Sequence, residues 1–148
     1  MGLHLFIGVA RTSQGGEEVS RQAHYLEAAG SIPAPVTNLE VMKIITNPWI
    51  PFKGFSAINL FGVVFVRNDV PQLDVYQKNH EAIHTAQMRE LWYLPFYMIY
   101  FIEWLTLLRK YDAKDAYYNI SFEKEAYNNE HDMSYLKKRR HFAQWFIK

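Results

Sequence analysis

The sequence predicts an α+β fold: a short sheet near the middle of the chain, then a succession of helices. Three observations predict it. Asn59 to Arg67 is dense in β-branched and aromatic residues, a helical pattern begins at about Leu73, and Leu91 to Leu108 is apolar apart from Glu103. At 148 residues the chain suits one domain, long enough to bury roughly two-thirds of the surface of its unfolded form. An apolar content of 49% and an aromatic content of 16% argue against general disorder.

Taken in order, residues 1–35 read as a loosely packed extension of this single domain. Within them Glu17 to Ala29 suits a short helix, closed by Gly30 and the breaker-rich SIPAP. The opening MGLHLFIGV has no basic residues ahead of its apolar run, so no clear signal peptide is read there, and Phe6 stands where a myristoylation motif needs Ser or Thr. Val41 to Thr46 suits a strand, and Pro48 and Pro51 bend the segment NPWIPFKGF that comes next. Asn59 to Arg67 reads as one strand, ended by Asn68, Asp69 and Pro71.

Asp74 is placed to cap a helix running through NHEAIHTAQMREL. Pro95 marks the start or the kink of the next helix. The eighteen residues from Leu91 to Leu108 would span roughly 27 Å as a helix. They suit the central helix of a small domain, or membrane contact helped by Trp92, Tyr93, Tyr100 and Trp104 and by Arg109 and Lys110 just beyond. The second reading leaves localisation open between cytoplasmic and membrane-associated. Glu103 belongs against the protein interior, because a charge facing lipid is costly. Tyr111 to Tyr118 reads as loop or short helix. Ser121 reads as the N-cap of a helix reaching Asn129 or His131, and a last amphipathic helix is expected over Ser134 to Phe146 with Trp145 and Phe146 facing inward.

Composition removes several chemistries. Without cysteine there is no disulfide framework, thiolate nucleophile, iron–sulfur cluster or Cys-based zinc knuckle. A net charge of +1 gives no general case for nucleic acid, and none is expected as a partner. The basic run Lys137 to Arg140 fits a solvated face or phospholipid headgroups as readily. No glycine-rich phosphate loop is present.

The informative segment is His80-Glu81-Ala82-Ile83-His84. Residues four apart on a helix share a face, so His80 and His84 can offer two imidazole nitrogens to one ion. Glu81 lies about 100° round the axis, near the ion yet outside its ligand set, where a carboxylate can take a proton from water and hand it to a leaving amine. A catalytic zinc site needs a third protein ligand. Glu123, Glu125 and Glu130 offer carboxylates downstream, and His131 and His141 offer imidazoles. Glu125 lies about 200° from Glu123 round a helix, so the two are not expected on one ion, and helical phase does not choose between them.

NHEAIHTAQ followed by SFEKEAYNNE resembles the HExxHxxQ and ExEA patterns of gluzincin-type zinc metalloproteases, in particular small metallopeptidase-like bacterial proteins related to that group. The resemblance runs over about Asn79 to Glu130. It implies a minimal zincin-like domain with a short sheet packed on the active-site helix, binding Zn2+ through His80, His84 and Glu123. It implies Glu81 as the catalytic general base and a peptide or protein as substrate. The alternative is a catalytically inactive metal-binding or scaffold protein. In the family an Asp four residues after the glutamate ligand supports a ligating histidine; Tyr127 stands there, and a phenol cannot supply that negative charge.

Gln87, three residues beyond His84, is placed to support the ligands or to order the segment carrying Glu123. His131, Tyr117, Tyr118 and Tyr127 are candidate donors to a developing oxyanion. His4, His24 and His141 stand isolated and read as packing or surface groups.

Overall fold

The computed structural model describes residues 42–51, 57–69 and 72–146. The helix expected over Glu17 to Ala29 and the extension over residues 1–35 lie outside the described residues. The fold is α+β, as the sequence predicts. Strands β1 (Lys43–Asn47), β2 (Ala57–Leu60) and β3 (Val63–Arg67) form a sheet of order β1-β3-β2. Helices come next: α1 (Val75–Glu90), α2 (Leu94–Leu107), α3 (Ala113–Tyr118), α4 (Ser121–Asn129), the single turn α5 (Tyr135–Lys138), and a 3-10 turn over Ala143–Phe146.

Asn59 to Arg67 is not one strand but a hairpin. Phe61 and Gly62 form its two-residue turn with φ of 54° and 81°, and Gly62 donates to the Asn59 side chain at 3.1 Å. Positive φ at both positions gives the turn a twist that matches paired strands. A side chain at position 62 would be strained by that φ and would meet Thr85 Cγ2 at 3.3 Å. β2 then runs antiparallel to β3 with Ala57 opposite Val66 and Asn59 opposite Val64, while β1 runs parallel to β3 on its other edge. Residues two apart share a face, so Ala57, Asn59, Val64 and Val66 are buried together, with Leu73 and Met42 completing the cluster. Beyond β1, the Asn47 side chain accepts from the backbone of Trp49 and Ile50 and turns the chain.

Asp74 caps α1 as expected, and Gln77 completes a reciprocal capping box by bonding back to the Asp74 backbone. The α1–α2 connection is tight, with Trp92 and Tyr93 at positive φ, and Pro95 sits in the first turn of α2, where its missing N–H costs nothing. α2 has 14 residues, about 21 Å of helix. Among the described residues no helix is long and apolar enough to cross a membrane. Its inner face, Phe96 and Tyr100, packs with Met88, Tyr117, Ile120 and Phe122 into a second core cluster.

Two expectations about helix ends are corrected. Ser121 is the first residue of α4, not its cap: Ile120 holds the cap position, which makes no side-chain bond. The capping acceptor comes from α2 instead, where Glu103 takes the Ser121 N–H at 3.0 Å and its hydroxyl at 2.7 Å. Glu103 therefore does face the interior. The amphipathic helix over Ser134 to Phe146 does not form as one piece. The chain leaves helical geometry at Arg139 (φ −59°, ψ 129°), and Trp145 and Phe146 are 50% and 71% exposed rather than inward. The cause is Arg139. Its guanidinium is buried against Glu125 and Glu90, and reaching them breaks the helix.

Candidate metal centre

His80 and His84 occupy the middle of α1, where flanking turns fix the backbone. Their rings meet edge to face with Nε2 atoms 3.0 Å apart. α4 delivers Glu123 from its first turn, with Oε2 3.5 Å from His80 Nε2 and Oε1 3.3 Å from His84 Nε2. One ligand atom from each of the three residues lies within 4.8 Å of the others. All three are buried, as is Glu81. The structure thus brings His80, His84 and Glu123 to one point.

The far sides of the imidazoles decide what the near sides can do. His80 Nδ1 faces Glu130 Oε2 at 2.9 Å, and a carboxylate only accepts, so Nδ1 carries the hydrogen. Gln87 Nε2 donates to the Phe122 carbonyl at 3.0 Å and to Glu125 Oε2 at 3.1 Å, which orients its Oε1 toward His84 Nδ1 at 2.8 Å. His84 Nδ1 must then be the donor. In their neutral forms both rings accordingly aim an Nε2 lone pair at the same point. Two lone pairs at 3.0 Å beside a carboxylate repel unless a positive charge lies among them.

A proton can meet the same need as a metal cation. Burial disfavours a charged His80, but Glu123 and Glu130 outweigh it and raise its pKa to about 10. The balance raises His84 as well, burial opposing and Glu123 prevailing. Burial pushes Glu123 up, yet the two imidazoles hold it well below the ordinary carboxylate range. Glu81 differs: burial raises it to about 7, with His84 and His80 pulling the other way.

Three groups that sequence reasoning missed support this centre. Tyr100 donates its hydroxyl to Glu123 Oε1 at 2.8 Å; from sequence it reads as an ordinary core aromatic. Asn79, one residue before the histidine pair, uses its side chain to hold the carbonyls of Asn129, Glu130 and Asp132, and so fixes Glu130 beside His80. Asn59 on β2 donates to the Glu81 carbonyl at 2.8 Å and to Thr85 Oγ1 at 2.9 Å, tying the sheet to α1. No local pattern announces any of the three.

The expected gap at Tyr127 is filled from elsewhere. Its ring packs edge-on against His80 at 4.6 Å, and Glu130 supplies the negative partner that a phenol cannot. Glu125 points away from the ion site into the Arg139 pair. Gln87 supports His84 and binds the backbone of α4, so both roles considered for it are combined. Of the candidate oxyanion donors, Tyr127 touches His80 through its ring while its hydroxyl pairs with Tyr117, Tyr118 packs against both tyrosines, and His131 is exposed and stacked on Tyr76. His141 sits at the surface against Glu90, while His4 and His24 lie outside the described residues.

A scan against protein-family models, a search of curated proteins and a search of solved structures each found no match to this chain.

Proposed function

We propose that the protein is a zinc-dependent hydrolase of peptide bonds, with His80, His84 and Glu123 holding the metal and Glu81 moving the proton. One observation carries the reading: two imidazole Nε2 atoms and a carboxylate converge on one buried point while the opposite nitrogens are already committed to acceptors. A residue set of two histidines and one glutamate with a remaining open position is that of catalytic zinc sites. The fit is supported by an orphaned atom, since Glu123 Oε2 is buried with no hydrogen-bond donor.

Zinc held there supplies Lewis acidity, polarising a substrate carbonyl and making water nucleophilic near neutral pH. The chain's own contribution is proton handling and rigidity. Neither oxygen of buried Glu81 meets a hydrogen-bond donor at bonding distance, while the imidazoles and the Asn59 amide favour its charged form, so the carboxylate can accept a proton and return it to a leaving amine. Glu130 and Gln87 hold the imidazole tautomers, and Tyr100 steadies Glu123. The test is metal analysis together with turnover of a peptide library. Glu81→Gln is expected to keep zinc and lose on the order of 10²-fold or more in turnover. Equal zinc content in the wild type, His84→Ala and Glu123→Ala would refute the site.

One observation favours a second reading. Every residue of the centre is buried, which also suits a metal that only stabilises the fold. In that case the wild type binds zinc, turns over no peptide, and loses stability when zinc is removed.

A further inference from the structure

The strongest unexplained feature lies on the opposite side of α2 from the metal centre. Leu94, Met98, Phe101, Ile102 and Leu105 are all exposed, and on a helix they fall within a stripe about 100° wide. Phe96, Tyr100 and Glu103 occupy the other side, facing the core. Trp92, 84% exposed, stands in the turn just before the N-terminal end of this helix. Its φ of 55° belongs to the left-handed region that a Trp rarely adopts, so the backbone is strained in this turn while the indole is left in solvent.

Two polar side chains of this helix, Glu103 and Thr106, are satisfied within the protein. Glu103, its one charge, is turned inward onto Ser121. Thr106, at the edge of the stripe, returns its hydroxyl to the Ile102 carbonyl at 2.8 Å. The face therefore asks nothing of water, a property needed for contact with hydrocarbon. Arg109 and Lys110 stand at its C-terminal end, both exposed, and the nearest acid after them, Asp112, is occupied in capping α3.

We propose that this face of α2 docks the protein onto an anionic lipid surface, with the helix lying in the plane of the interface. The length of the helix, about 21 Å, is too short to cross a hydrocarbon core of about 30 Å but suits in-plane burial of one apolar stripe. Trp92 and the Arg109–Lys110 pair then sit at headgroup level, where indole rings and basic side chains are favoured. A second copy of the chain is the competing occupant, and a dimer that ignores vesicles would identify it. The proposal does not depend on metal binding, since the metal ligands lie on α1 and α4 and α2 reaches them through Tyr100, on its other face.

The full chain is sedimented with vesicles of phosphatidylcholine mixed with phosphatidylglycerol, and with vesicles of phosphatidylcholine alone. Binding to the mixed vesicles is expected, falling at least tenfold in Ile102→Glu and in Met98→Glu. Both positions are exposed, and unchanged circular-dichroism melts show that these variants fold. Arg109→Glu with Lys110→Glu is expected to reduce the preference for the mixed vesicles. Quenching of tryptophan fluorescence by brominated lipid should largely disappear in Trp92→Phe. Wild-type protein left in the supernatant with both vesicle types overturns the proposal. So does a concentration-dependent dimer, split by Ile102→Glu, in a protein that ignores vesicles.

Discussion

Replacing Glu130 tests whether it is the negative partner of His80, in place of the position at Tyr127 that the resemblance implies. Glu130 accepts from His80 Nδ1 at 2.9 Å with its side chain 20% exposed, so the bond is charge-assisted and only partly screened by water. Removing such a partner from a ligating histidine weakens metal binding by about 10- to 100-fold, or about 1.4–2.7 kcal/mol. Glu130→Gln keeps an acceptor of the same reach and loses only the charge, so about tenfold is expected. Glu130→Ala loses both and belongs near a hundredfold. Because Asn79 holds the backbone carbonyl of Glu130 at 2.8 Å, neither change frees the segment. The assay is competition for zinc against a chromophoric chelator. Tyr127→Phe is the contrast: its ring still packs on His80, and affinity should stay within about twofold. Tyr127→Asp should gain nothing, since the single Nδ1 hydrogen is already taken. Wild-type affinity in Glu130→Gln, or an equal loss in Tyr127→Phe, would refute the assignment.

Glu125→Ala should retain zinc while destabilising the fold by about 3 kcal/mol, because Arg139 is 4% exposed and would keep only Glu90 as an ionic partner; chemical denaturation with metal analysis separates the two effects. Glu103→Ala removes the acceptor for the first N–H of α4 and should cost about 1–2 kcal/mol, read as a lower midpoint in denaturant with an unchanged slope. Chelation should lower the melting temperature of zinc-loaded protein by roughly 5–10 °C, given about 2.7 kcal/mol of linkage at free zinc a hundredfold above Kd. The same chelator should leave the melting temperature of His84→Ala unmoved.

Local periodicity accounts for the parts of this fold that are legible in the sequence. His80, Glu81 and His84 can be read because four residues return a helix to the same face, and Asp74 can be read because the helix begins there. Pro95 likewise marks where α2 starts. Reading fails where a distant partner decides. Phe61 and Gly62 sit in an apolar run that looks like one strand; Gly62 is the available signal, and its meaning depends on the side chain of Asn59 taking its N–H. Arg139 sits in a basic run that reads as solvated surface, until Glu125 and Glu90 draw it inside and break the terminal helix. Glu130 and Asn79 meet across some fifty residues of chain, a separation at which spacing carries no information.

The choice between Glu123 and Glu125 shows how one helix serves two centres. They lie about 200° apart on α4, so when one faces the histidines the other must face away. Phase alone permits either assignment. Arg139 removes the ambiguity by claiming Glu125, and Tyr100 reinforces it by donating to Glu123. The same pairing of acids with donors isolates Glu81. Glu90 and Glu125 are matched by Arg139, Glu103 by the start of α4, Glu130 by His80, and Glu123 by two imidazoles and a phenol. Glu81, fully buried, is the one carboxylate among the described residues with both oxygens buried and unpartnered. Burying a carboxylate without partners is costly, and an apolar residue of similar size would relieve that cost on an ordinary helix. Under the proposed function Glu81 is the carboxylate left to take a proton from water, and turnover by Glu81→Gln with zinc retained is the comparison that tests it.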